Sequence, residues 1–230
     1  GFDDGRRDPG PNLQSFLDSG QTLNDPGVDQ QAILTELGDP NLILLQSTDE
    51  LPVNWSGGIT AGTSVDVFSD GRFGVIATAS LSNKYRNRFI TRQAALNGDL
   101  DLDQTGNQFQ TDQRILANAM LGFGLEVGEH RFRLTNLYIR DSLKRASLAQ
   151  ISDLTDDDDD LFQNTGWYER QLLDTQFVGE LEFGDLSIDL RGGYAQTQRE
   201  APNEWEFVYS RDLNPSDGFD DIYLNLQNGG

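Results

Sequence analysis

The sequence predicts an all-β protein, an antiparallel meander forming part of a transmembrane β-barrel, with short helices in its N-terminal segment. Three observations carry this. From residue 54 onward apolar residues recur every second position, tight-turn chemistry falls at widely spaced points, and no apolar run reaches the roughly 18 residues of a membrane helix. A mean hydropathy of −0.54 is compatible with a barrel, whose strands alternate apolar and polar residues and so average out.

Residues 1–53 are rich in Asp, Pro, Gly and Gln and read as a long, extracellular-loop-like segment. Leu13, Phe16 and Leu17 share a helical face that stops at Gly20. Ile33, Leu34 and Leu37 repeat the pattern and stop at Gly38, with Asp25 and Pro26 available as N-cap and first helical residue. Residues 54–212 then hold about six strands, near 54–68, 73–95, 109–127, 131–147, 166–183 and 186–211. In the second, Phe73, Val75, Ala77, Ala79 and Leu81 alternate with small or polar residues, Ile76 excepted. In the third, Ile115 to Val127 repeats the alternation, as do Leu173 to Phe183 and Leu186 to Tyr194 in the fifth and sixth. Between residues 131 and 143 the pattern weakens: Asn136 interrupts the face of Phe132, Leu134 and Tyr138, and Leu137 and Ile139 lie opposite, which predicts a bulge or a strand covered on both faces. Residues 213–230 read as the start of the next loop.

Turn chemistry agrees with the facing. A three-residue loop Ser69-Asp70-Gly71 between Val67 and Phe73 wants a left-handed Gly71, a two-residue loop Gly184-Asp185 joins Phe183 to Leu186, and Gly128 marks a third reversal. Long polar connectors, Asn97–Gln108 and Leu148–Thr165, separate these turns. Short turns on one side and long loops on the other are the asymmetry of an outer-membrane barrel. Phe68, Phe73, Phe132 and Phe183 lie beside the turns, and Trp55, Tyr85, Phe89, Tyr138, Trp167, Tyr168, Tyr194 and Trp205 toward the loop ends, as two interfacial girdles would.

The charge balance, 17 Lys and Arg against 38 Asp and Glu for a net −21, makes nucleic acid a poor partner. The absence of Cys excludes disulfides, thiolate metal sites and thiol nucleophiles. The chain begins Gly-Phe-Asp-Asp without a signal-like segment, and reads as a piece of something longer.

Three stretches, Asn83-Lys84-Tyr85-Arg86-Asn87-Arg88, Thr135-Asn136-Leu137-Tyr138-Ile139-Arg140-Asp141 and Gln198-Arg199-Glu200-Ala201-Pro202-Asn203-Glu204, resemble the barrel region of TonB-dependent outer-membrane receptors of the sphingomonad type. The likeness spans residues 30–210. It implies an internal fragment of a barrel in the outer membrane of a Gram-negative bacterium, without the plug domain through which such receptors meet the TonB energy-coupling complex. It also implies import of a scarce small-molecule solute such as an iron chelate, with no catalytic step and no cofactor. Outer-membrane lipid and lipopolysaccharide would be the surrounding partners. A soluble extracellular β-sandwich binding carbohydrate or calcium is the first alternative, and a plain diffusion porin the second.

Sites of chemistry are few. His130, the only His, falls in a predicted turn with no triad partner in any recognisable motif and reads as a solvated turn residue. Asp99, Asp101 and Asp103 match the start of a calcium loop, but Gln104 and Gln110 stand where its Gly and Glu are needed. Asp156–Asp160 reads as a solvated, self-repelling loop that could bridge through divalent cations to lipopolysaccharide phosphates. Lys84, Arg86, Arg88 and Arg92 share the parity opposite to the aliphatic face and would line the lumen. They form a strip that attracts an anionic solute or, the favoured reading, a ladder of ion pairs with Asp112, Asp141, Glu169 or Asp174.

Overall fold

The computed structural model describes residues 8–39, 45, 49–154, 158–212 and 222–224. Helices α1 (Pro11–Ser19) and α2 (Gln30–Leu37) precede strands β1 (Trp55–Val67), β2 (Gly71–Ala95), β3 (Leu102–Val127), β4 (His130–Asp153), β5 (Asp158–Phe183), β6 (Leu186–Asp212) and β7 (Ile222–Leu224). All seven strands form one antiparallel meander in chain order. The all-β expectation holds, and β7, which pairs with Tyr209–Arg211, adds a strand to the segment expected as loop; the rest of residues 213–230 lies outside the described residues.

The strands are longer than the sequence suggested. β3 starts at Leu102, β4 runs on to Asp153 and β5 begins at Asp158, so most of both polar connectors is ladder. Polarity misled because those rows pair through side chains as well as backbone: Gln104 Nε2 donates to Asp153 at 3.0 Å and Gln150 Nε2 to Asp159 at 3.3 Å. Asp159 and Asp160 are likewise strand residues, accepting from Ser152 and, at 2.6 Å, from Ser210 Oγ, rather than members of a free acidic loop; Asp156 lies outside the described residues.

Register that is unbroken from Gly71 to Ala94 on β2 and throughout the β3–β4 ladder fixes the faces. Val75, Ala77 and Ala79 oppose Phe123, Leu121 and Ala119, which oppose Leu134, Asn136 and Tyr138. Through Phe177 and Gly179 the same face continues to Leu181, Ile188 and Leu190, while Thr78, Asn118, Gly122, Glu180 and Arg191 occupy the other. Leu81, Leu121 and Leu190 are 43%, 40% and 46% exposed, and no second sheet covers them among the described residues. The chain exposes 15832 Å², where a globular protein of its mass would expose about 10,000 Å². No bulge interrupts β4; its two half-buried faces account for the weak pattern. Ile76, the exception in β2, lies over Gly122 on the opposite strand, where a Cβ would meet its Cγ2 at 2.9 Å.

One bulge matters for packing. Trp167 pairs with Asn203 but Glu169 with Glu200, so Ala201 and Pro202 on β6 oppose Tyr168 alone. Pro202 cannot donate to a ladder and sits where none is needed. Beyond it the parity of β6 reverses, turning Trp205, Phe207 and Tyr209 onto the aliphatic side. There they receive α1 and α2: Leu13, Ile33 and Phe207 form the buried cluster. Pro11 opens α1, and Gly20 in a left-handed conformation closes it. Asp29, not Asp25, caps α2 by accepting from Ala32 N–H; Asp25 instead accepts from Thr22 N–H at 2.8 Å. Glu36 of α2 accepts from Leu13 N–H at 2.7 Å and Asn12 Nδ2 at 2.6 Å, and the Leu13 bond above all holds its carboxyl below the usual range.

Two of the three hairpins follow expectation: Val127 pairs with His130 across Gly128-Glu129, and Phe183 with Leu186 across Gly184-Asp185, with both glycines left-handed. The first differs. Its loop is Phe68–Asp70, Gly71 pairs with Val67, and Phe68 takes the left-handed conformation at φ 60°.

Candidate functional site

On the face opposite the aliphatic one, a groove of about 550 Å³ crosses four strands. Lys84 and Arg86 come from β2, Asp112 and Arg114 from β3, Asp141 and Leu143 from β4, and Tyr168 and Arg170 from β5, with Asn54 and Tyr85 at its margin. The register builds it. Lys84 lies opposite Arg114, Arg114 opposite Leu143, and Leu143 opposite Tyr168, while Asp141 lies opposite Arg170 and Arg170 opposite Arg199.

The expected ion-pair ladder is present in part. Arg114 makes a bidentate pair with Asp141, at 2.7 and 2.8 Å. Asp112 accepts from Arg88, from Arg145 Nε at 2.8 Å and from Gln110 Nε2 at 2.8 Å, so its oxygens are occupied although Arg86 is its register partner. Arg88 is therefore structural. Lys84, Arg86, Arg92 and Arg170 form no ion pair among the described residues. Arg92 lies further along β2, outside the groove.

Two of the four acidic partners fall elsewhere. Glu169 is on the aliphatic side, where Arg140 Nη2 holds it at 2.6 and 2.7 Å, because residue 169 has the opposite parity to residues 168 and 170. Asp174 is on the groove's face but nearer the turns, accepting from Gln176. The groove thus sets four cations against two carboxylates, a local excess of positive charge in a chain of net charge −21. Like charges stand directly opposite each other at Lys84–Arg114 and Arg170–Arg199, an arrangement that costs stability and that a purely structural wall would avoid.

Tyr168 completes the floor. The sequence groups it with the aromatics toward the loop ends, but its parity places it on the groove's face rather than with the others on the aliphatic side; its ring lies across Gly166 and its hydroxyl donates to Glu204 at 2.7 Å. Trp55, Tyr85, Tyr138, Trp167, Tyr194 and Trp205 do lie on the aliphatic side, where Lys144 Nζ stands 4.1 Å over the Trp167 ring. Phe73 stacks on Phe123 and Phe132 on Phe177 near the turns. Arg114, Tyr168 and Arg170 are not among the site candidates read from the sequence; counting back from the turn at Gly128 puts 114 opposite 143, but the pairing of 143 with 168 crosses the β4–β5 connection, which carries no tight-turn signal.

The remaining candidates carry structure. His130 is half-buried rather than freely solvated, with Nδ1 accepting from Glu182 N–H at 3.1 Å and its ring against Phe183. Asn97 organises the loop between β2 and β3 by accepting from the N–H groups of Asp99 and Asp101. No cluster of His, Cys, Asp or Glu among the described residues could hold a metal ion, and no described helix is long and apolar enough to cross a membrane. No protein-family model matches the chain, and no curated protein matches it.

Proposed function

We propose that this chain is part of the wall of an outer-membrane barrel of the TonB-dependent receptor type, which admits a scarce anionic solute such as an iron chelate from outside the cell. One observation carries the reading. Aliphatic side chains of β1, β2, β3, β5 and β6 lie exposed on one face in a band bounded by aromatic rings, while the opposite face is largely polar and charged. A sandwich would cover that band with a second sheet. The groove at Lys84, Arg86, Arg114 and Arg170 is then the inner-wall station for the solute, its excess positive charge focused by the low-dielectric wall. The chain itself performs no bond-breaking step in this role.

The absence of Cys makes the test direct. Single cysteines placed at 115 through 121 and at 123 and 125 of β3, sparing Gly122, and spin-labelled in lipid vesicles should alternate, odd positions colliding with oxygen and even positions with a water-soluble nickel chelate. Nickel access at every position would sink the membrane reading.

A further inference from the structure

β1 and β2 are unequal, with 13 and 25 residues, and their ladder ends at Trp55 opposite Asn83. Just beyond, Asn54 replaces a strand with its side chain: Oδ1 accepts from Tyr85 N–H at 2.6 Å and Nδ2 donates to Tyr85 O at 3.3 Å. Pro52 follows on the way out and has no N–H to offer. Tyr85 therefore aims both backbone groups away from β3, and antiparallel geometry aims those of Asn87, Phe89, Thr91 and Gln93 the same way. No strand takes them among the described residues, and Thr91 to Ala95 are all exposed.

Such an edge is a template for another strand, and edges are commonly protected by charge. Here the charge is of one sign. Lys84, Arg86 and Arg92 project from one face without ion pairs among the described residues, so the edge repels a second basic edge and attracts an acidic one. The other face offers Phe89, 70% exposed, between Asn87 and Thr91. We propose that the free edge of β2 receives an extended acidic segment of a partner protein by strand addition. Its backbone would bond residues 87–93, and its carboxylates, at every second position, would meet Lys84, Arg86 and Arg92. This inference does not depend on the membrane reading, since the edge stands clear of β1 whatever the opposite face touches.

The test uses the whole chain in nonionic detergent and a fluorescent ten-residue peptide alternating Glu and Thr. Saturable binding is expected. It should weaken at least tenfold when alternate peptide amides are N-methylated on the bonding edge, and at least tenfold in the double variant Arg86→Glu, Arg92→Glu. Thr91→Pro, which removes one outward N–H and costs β3 only the long 3.4 Å bond from the Thr91 hydroxyl to Asn107, should weaken it too, and bound peptide should slow amide exchange at Phe89. Equal affinity for the N-methylated peptide would reduce the contact to charge attraction and overturn strand addition, as would the absence of saturable binding.

Discussion

A methyl group on Gly71 would stand 2.6 Å from the carbonyl oxygen of Val67, the residue it pairs with across the first hairpin. The oxygen is backbone and the methyl's position is fixed by the Gly71 backbone, so no side-chain rotation relieves the contact. Gly71→Ala should therefore destabilise the β1–β2 hairpin by about 1–3 kcal/mol. The neighbouring Phe68 carries the left-handed conformation at φ 60° with its ring 83% exposed, so Phe68→Gly should be neutral or stabilising by up to about 1 kcal/mol. Urea midpoints of the two variants in detergent check the pair, and equal destabilisation would refute the division of roles.

Glu36 gives a prediction in pH. Its folded-state carboxyl is held below the ordinary range by Leu13 N–H, so its contribution is present above the unfolded value and is lost as pH falls through the folded one. The α1–α2 pair should loosen on acidification below about pH 4. Because other carboxylates protonate in the same window, the comparison is with Glu36→Ala, in which amide exchange at Leu13 should be fast already at pH 7 and depend less on pH. An unchanged pH profile in the variant would refute the role.

What the sequence made legible is what a period of two forces. Leu121 and Leu134 had to share a face once the turn at Gly128 set their register, as did Leu181 and Leu190 across the turn at Gly184, and they do. Where two physical causes give one residue pattern, the reading went astray. Gln104 and Gln150 are as polar as a loop, yet belong to a ladder whose side chains bond across strands. Gly71 satisfies close approach rather than left-handedness. Half of the groove was visible as Lys84 and Arg86 on one strand. Arg114 and Arg170 join them through pairings on three further strands, and the alternation within a single strand carries no trace of that.

The carboxylate of Asp112 holds two guanidinium groups together, with its side chain 12% exposed, whereas Asp66 faces Arg72 in the open. Removing Asp112 strands Arg88 and Arg145 beside each other, so Asp112→Ala should cost on the order of 1–3 kcal/mol. Asp66→Ala should cost under about 1 kcal/mol. Thermal unfolding of both variants in one detergent measures the difference; equal losses would mean that the network around Asp112 contributes no more than a surface pair.

Charge at the middle of the aliphatic band is the sharpest test of which face meets lipid. Leu121 is 40% exposed with Ala77 and Asn136 beside it in register, so an Arg there would have no carboxylate partner on neighbouring strands. In lipid vesicles Leu121→Arg should cost about 2–4 kcal/mol, because the guanidinium loses water and finds no counter-charge. Gly122 is a poor site for the matching substitution on the polar face, because a Cβ there would meet Ile76 Cγ2 at 2.9 Å. Asn118, which bonds Ser80 Oγ at 3.3 Å on the polar face, is the proper control, and Asn118→Arg should cost less than about 1 kcal/mol there. Urea titration of both variants after insertion into vesicles gives the two numbers. If Leu121→Arg were as stable as Asn118→Arg, the aliphatic face would be meeting water, and its exposed band would need another cover.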